Sequence, residues 1–365
     1  MDKLAIHEEF LNKKRFDLLD GIRGLAILAV IWHHSTGAMF SDHSIFSRGY
    51  LGVDLFFVLS GFLITHLLLR EYAENGFISL KNFYIRRTLR IFPLFYGYIA
   101  FMFVWFMITS PEKFEQLLNV LHYYLLYLIN WIPPEMEHSF ERGWSLSVEE
   151  QFYLFWPAML LFLGVRIPSL FILLIVVLTV VLSEGVLGEK GIYYSSFAVP
   201  FRTILMGCFV AILLNTSSGF LLFNKWFNNR YSMLAVALLM VIIVAIEPES
   251  IYGYHQFIVH LLMAAFIAAS VINENNWLKP LLTLAPLKLM GLVSYGIYVL
   301  HGQFWGVAQK IVSFIPIEVV ANSKISFFIV FTIISTIVAL VSFYTYEKFF
   351  LDMKHKFYTK KPETN

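Results

Sequence analysis

Ten apolar stretches, each about as long as a bilayer is thick, recur from one end of this chain to the other. A hydrocarbon core of ~30 Å takes about 20 residues of α-helix. Inside it every backbone N–H and C=O must be satisfied, which makes the helix the natural form for such runs. They lie at 22–40, 50–69, 91–109, 147–165, 168–183, 197–214, 231–246, 255–272, 291–309 and 325–346. A further stretch, 116–131, is apolar but short and rich in Tyr and Asn, which suits a re-entrant or interfacial helix and leaves an eleventh span open. The fold class expected is all-α: a polytopic membrane helix bundle of about ten transmembrane helices.

Composition agrees. Of 365 residues 58% are hydrophobic and 14% charged, with a mean hydropathy of +0.69. Soluble domains carry about a quarter charged residues. A net charge of +2 lacks the basic stripe of a nucleic-acid binder. The single cysteine, Cys208, allows neither an intramolecular disulfide nor a cysteine metal cluster, and no metal site is expected. The polar start, MDKLAIHEEFLNKKRF, has no small-residue cleavage signal, so no removable signal peptide is expected.

Lys and Arg set the orientation. With ten spans and a cytoplasmic N-terminus, roughly 20 of the 27 basic residues fall on the cytoplasmic side. Both termini are then cytoplasmic and the chain is multi-pass in the cell's inner membrane. The division expected is a cytoplasmic N-terminal segment at 1–18, a membrane domain at 19–347 and a basic cytoplasmic tail at 348–365.

Against this background the ionisable residues within the spans stand out. The first span, FDLLDGIRGLAILAVIWHHS, opens with Asp17, Asp20 and Arg23 and ends on His33 and His34. If Arg23 marks the cytoplasmic boundary, His34 lies ~16 Å deeper, where a polar side chain is costly unless it faces protein or a wet cavity. Positions 20, 23, 27, 30 and 34 make one helical stripe, so Asp20, Arg23 and His34 share a face while His33 diverges from it. Asp20 is too far along to touch His34 and is assigned to pairing with Arg23 at i, i+3.

Other segments carry similar residues. In FYIRRTLRIFPLFY, Arg87 and Arg90 share a helix face; they serve either as positive-inside anchors or as a guanidinium clamp for phosphate. In RGWSLSVEEQFYLFWP, Glu149 and Glu150 open a span, as first-turn acids that suit the helix dipole or as a carboxylate that orients an acceptor or an imidazole. In GLVSYGIYVLHGQFW, His301 sits near mid-depth behind Ser294 and Tyr295, as packing glue or as part of a site. Asp54 and Ser60 lie in GVDLFFVLSGFLIT. Together they form two layers, arginines at the cytoplasmic face and His, Asp and Glu deeper, as a passage from a cytosolic anion to an outer acceptor would need.

These segments resemble the acyltransferase-3 family of membrane O-acyltransferases of bacterial surface polysaccharides and related glycans. DGIRGLAILAVIWHH is similar to its Arg-x10-His motif, at Arg23 and His34; GVDLFFVLSGFLIT to its second-helix signature, with Asp54 and Ser60. RRTLR resembles its Arg-x-x-Arg element, at Arg87 and Arg90; WSLSVEEQFYLFWP its acidic signature, at Glu149. VSYGIYVLH resembles its late element, at Ser294, Tyr295 and His301. The motifs follow in family order over 15 to about 350.

The resemblance implies an acyl-CoA donor, most often acetyl-CoA, with phosphates at Arg87 and Arg90 and Arg23 toward the pantetheine. It implies a glycan hydroxyl as acceptor, and catalysis by His34 with Glu149. His34 would act as general base or carry the acyl group itself, and the choice between His33 and His34 stays open by one residue. Many relatives carry an extracytoplasmic esterase-like domain that completes transfer. This chain ends about 20 residues after its last span, so either the membrane domain finishes the reaction or a separate extracytoplasmic transferase does. The rival class is a transporter or flippase using buried His, Asp and Glu as a proton relay; no internal pairing of the kind transporters show is evident.

Overall fold

The computed structural model describes residues 3–13, 15–36, 47–163, 189–246, 253–315 and 323–357. Its regular elements there are helical, with no strand among the described residues. A short N-terminal helix α1 (Lys3–Asn12) precedes α2 (Asp17–Thr36), α3 (Leu51–Asn75), α4 (Leu80–Thr109), α5 (Pro111–Leu125) and α6 (Trp144–Leu163). The second half holds α7 (Glu189–Asn215), α8 (Ser217–Phe227), α9 (Ser232–Ile246) and α10 (Gly253–Ile272). It closes with α11 (Ala285–Leu292), α12 (Ser294–Leu300), α13 (Trp305–Ser313), α14 (Lys324–Ser342) and, after a π-turn at Phe343–Glu347, α15 (Lys348–Met353).

Among the described residues four helices are long and apolar enough to cross a membrane: α3, α4, α10 from His255, and the run Lys324–Met353. A bent pair, Val199–Asn215 with Ser217–Phe227 at 105°, makes a fifth if it counts as one span. Part of the shortfall from ten has local causes. The stretch 168–183 lies outside the described residues. Helix α9 is apolar but only 15 residues long. The stretch 291–309 is not one helix: α12 gives way to a 3-10 turn at His301–Phe304 before α13 resumes. There the His301 ring bonds the carbonyls of Ile297 and Tyr298, and a side chain that competes for backbone groups locally disturbs the regular ladder.

The stretch 116–131 doubles back on α4. Phe114 of α5 meets Phe103, the Tyr96 hydroxyl donates to the Leu125 carbonyl, and Tyr127 stacks on Phe95 at 4.1 Å. The reversal occurs at Tyr127, whose φ of 54° is uncommon for a residue with a side chain. A 3-10 turn at Ile129–Trp131 then leads back toward α6.

Two apolar bodies result. One gathers α3, α6, α7 and α10; the other gathers α4, α5, α12 and α14. Helix α2 belongs to both, giving Leu18, Ile22 and Ala26 to the first and Ile27, Val30 and Ile31 to the second. The first body is fixed by a close crossing of α3 and α7. A Cβ on Gly61 would collide with the Ile204 carbonyl, and one on Gly207 with the Val58 carbonyl. Small residues are what let membrane helices approach this closely. Since the obstruction is backbone, Gly61→Ala and Gly207→Ala should each cost ~1–3 kcal/mol as overpacking. This would be read as a lower midpoint of thermal unfolding in detergent, and an unchanged midpoint would refute the crossing.

Candidate functional site

Between the two bodies lies a cavity of about 350 Å³. Helices α2, α3, α4, α6 and α12 form its walls, and Lys354 stands with them. Six basic side chains line it, Arg23, Arg70, Arg86, Arg87, Arg90 and Lys354, against three acids, Glu71, Glu74 and Glu149. Most of the charge is paired. Arg23 bonds Asp20 at 3.0 Å, Arg70 bonds Glu74 at 2.9 Å and Arg86 bonds Glu71 at 2.8 Å. Arg87 lies flat over Tyr153, 3.7 Å from the ring centroid, with Glu150 at 3.5 Å and Glu149 at 3.9 Å. Arg90 is exposed and forms no ion pair among the described residues. Its charge and those of Arg23 and Arg87 act on one another. Six cations against three acids leave the lining with an excess of positive charge, which suits a polyanion.

Several residues singled out in the sequence meet here. Arg23, Ser60, Arg87, Arg90, Glu149, Ser294 and Tyr295 all line the cavity. Ser60 donates to Glu149 at 2.7 Å, tying α3 to α6. The Tyr295 hydroxyl is committed to the Ile91 carbonyl of α4 at 2.7 Å. Asp20 is not on the cavity wall; it holds Arg23 in place and also takes Arg15.

Asp54 lies elsewhere. It faces α10, 3.2 Å from His260 Nε2, and the His260 Nδ1 is 3.0 Å from the Thr203 hydroxyl of α7. The fully buried Arg202 adds a cation close to it. The sequence reading grouped Asp54 with Ser60 because both fall in one signature, but six residues along a helix they point to different neighbours.

His34 and His301 do not line the cavity. They meet each other beyond its inner end, His34 Nδ1 to His301 Nε2 at 3.3 Å. Between them and the cavity stand Tyr298 and Ser145, both on the cavity wall, their hydroxyls 2.5 Å apart. Tyr298 also donates to the Arg142 carbonyl at 2.9 Å. Tyr298 thus links the cavity wall to the helix that carries His301, its hydroxyl held on Ser145 and the Arg142 carbonyl. Sequence reasoning missed Tyr298, Tyr153 and Arg142. The first two could have been found by helical spacing, three residues before His301 and four after Glu149.

The histidine pair has a defined proton arrangement. His301 Nδ1 lies 2.9 Å from both the Ile297 and Tyr298 carbonyls. Carbonyls only accept, so Nδ1 carries the proton, and in the neutral ring Nε2 is left as an acceptor. His34 Nδ1 then donates to it, and His34 Nε2 is left as the acceptor, with no hydrogen bond among the described residues. His33 turns away, its Nδ1 3.1 Å from the Ser47 carbonyl. Among the described residues no group of three His, Cys, Asp or Glu side chains is placed to hold a metal ion.

With this geometry in hand, comparison with known proteins is decisive for the family. The profile of a family described as an acyltransferase domain, the acyltransferase-3 type, matches residues 16–344. The chain belongs to that family. Among curated acyltransferase relatives, "Putative peptidoglycan O-acetyltransferase YrhL" of Bacillus subtilis is 29% identical over 90% of this chain and 54% of its own length. "Peptidoglycan O-acetyltransferase OatA" of Listeria monocytogenes is 28% identical over 80% of this chain and 49% of its own. A "Putative O-acetyltransferase" of Staphylococcus aureus is 29% identical over 82% and 52%. The chain spans about half the length of the curated relatives it matches. No solved structure matches it.

The cavity mouth yields a pH prediction. Burial first, then the charges of Arg90, Arg86 and Arg87, push the Lys354 ammonium down to about 8. A bound polyanion favours the charged form, so binding takes up a proton there. Affinity for pyrophosphate should therefore weaken as pH rises through about 8, and Lys354→Met should flatten that dependence. Isothermal titration from pH 7 to 9 in detergent measures it, and a slope unaltered in the variant would remove Lys354 from the site.

Proposed function

We propose that this chain is an integral membrane O-acetyltransferase that moves acetyl groups from cytosolic acetyl-CoA to a hydroxyl of a cell-envelope glycan. One observation carries the reading: a cation-rich cavity whose wall includes Tyr298, three residues before the buried histidine that meets His34. The family supports acyl transfer, and the relatives' printed names support O-acetylation of peptidoglycan-type glycan. In the topology expected from the basic residues, with both termini cytoplasmic and a membrane domain at 19–347, the arginines would lie at the inner face of the cell's inner membrane.

In this reading the CoA phosphates dock on Arg87 and Arg90, which offer bidentate forks for phosphate oxygens. Arg23, held by Asp20, faces the pantetheine arm. Glu149 and Ser60 keep the Arg87 guanidinium in register on Tyr153. The thioester arm displaces Tyr298 from Ser145 and the Arg142 carbonyl, and so reaches the histidine pair. His34 Nε2 takes the proton of the acceptor hydroxyl as the alkoxide oxygen attacks the thioester carbon. Collapse of the adduct expels the CoA thiolate, which recovers that proton. His301 acts as the positioning residue, fixing the His34 tautomer through its Nε2. A separate extracytoplasmic transferase is required only if the acceptor does not itself reach His34.

The test is acetyl transfer from labelled acetyl-CoA in membrane vesicles. A general base contributes ~10²–10⁴-fold, so His34→Ala should lose activity on that order while His33→Ala stays within a few-fold of wild type. Arg90→Ala should raise the half-saturating acetyl-CoA concentration about tenfold or more. Near wild-type activity in His34→Ala would sink the proposal.

A further inference from the structure

Arg142 stands next to the histidine pair and was not singled out by any motif. It lies in the 3-10 turn Glu141–Gly143 that leads into α6. Its carbonyl receives the Tyr298 hydroxyl. Its guanidinium rests on the α-carbon of Gly302, the residue after His301, so that a Cβ there would collide with Nη1. Its charge acts on both His34 and His301. Yet among the described residues its side chain makes no ion pair or hydrogen bond, and its Nε is buried without a partner.

Burying even one N–H of a guanidinium with neither an anion nor an acceptor beside it is costly. Such a group persists where an anion arrives in function. The histidine pair narrows which anion that is. In a serine-hydrolase-like triad a carboxylate compensates the imidazolium that forms on the base. Here the partner of His34 is a neutral imidazole whose one proton is already given to backbone carbonyls. When His34 takes up the acceptor's proton, the only compensating negative charge formed in the step is the oxyanion on the former thioester carbonyl.

We infer that Arg142 is a catalytic residue whose guanidinium holds that oxyanion; the inference rests on the acyl-transfer reading above. The acceptor oxygen bonds to the carbonyl carbon and the carbonyl π pair moves to its oxygen, which accepts from Arg142. The pair then reforms the C=O, the C–S bond breaks, and the thiolate takes the proton from His34 Nε2. Gly302 leaves the space in which the guanidinium sits. The obstructed atom is the far end of a flexible side chain, so Gly302→Ala would move the guanidinium without displacing backbone.

The experiment uses the full chain in membrane vesicles with labelled acetyl-CoA. It reads maximal rate and half-saturating concentrations of donor and acceptor for Arg142→Ala, Arg142→Lys and Gly302→Ala. Loss of one oxyanion donor lowers turnover by ~10²–10³-fold. That loss is expected in both Arg142 variants with donor half-saturation unchanged, a smaller loss in Gly302→Ala, and partial rescue of Arg142→Ala by added guanidinium ion. A rate within threefold of wild type in Arg142→Ala would overturn the inference. So would a defect seen only in acceptor half-saturation, which would make Arg142 a site for an acceptor carboxylate. If Arg142→Ala does not fold, unchanged turnover in Gly302→Ala overturns it. His34→Ala run in parallel separates the two levels. If His34→Ala is active, the acyl-transfer reading fails and this inference with it; if it is dead while Arg142→Ala is active, this inference fails alone.

Discussion

The Arg87 guanidinium lies face-on over Tyr153 with Glu149 and Glu150 at its edges. Tyr153 and both glutamates come from α6, and Arg87 from α4, so this one contact joins the two apolar bodies across the cavity. Flat stacking satisfies the cation through the ring's π face and the aligned acids while leaving part of its fork turned to the open space. Ser60 then fastens Glu149 to α3. A polar wall in an apolar bundle is tolerable because each cation but Arg90 has a carboxylate partner or lies at the aqueous end, and Arg90 is where a phosphate has most to gain.

Deeper in, the logic changes from charge to proton placement. The His301 ring is completely buried and its Nδ1 is held by two carbonyls of its own helix. That arrangement breaks the helix into a 3-10 turn and fixes the ring's tautomer in one stroke. His34 inherits its own tautomer from it. Tyr298, a turn earlier, reaches the cavity wall, so the same short helix α12 carries both a wall residue and the approach to His301. Under the proposed function, a tyrosine at this place would keep water from a thioester until the arm displaces it, which suits transfer to a glycan over hydrolysis.

How much of this could be read beforehand depended on whether partners lie close in sequence. The stripe Asp20–Arg23–His34 was legible because one helix dictates it, and the ion pair at i, i+3 followed. Arg87 and Arg90 were legible for the same reason. What sequence could not supply were contacts between distant helices. His260 and Arg202, which claim Asp54 away from the cavity, are about 150–200 residues from it. The link between His34 and His301 spans 267 residues. The break at 301–304 was hidden because hydropathy there stays apolar, and the bonds of the His301 ring to the Ile297 and Tyr298 carbonyls leave no mark in an apolar count.

The most direct measurement is a structure of the chain in lipid with a non-transferable thioether analogue of acetyl-CoA. The account predicts the analogue's phosphates on Arg87 and Arg90, Tyr298 turned away from Ser145, and the acetyl carbonyl beside His34 Nε2. An analogue bound with its phosphates elsewhere, or with its acetyl end stopped below a closed Tyr298 in a preparation that still transfers acetyl groups, would contradict it.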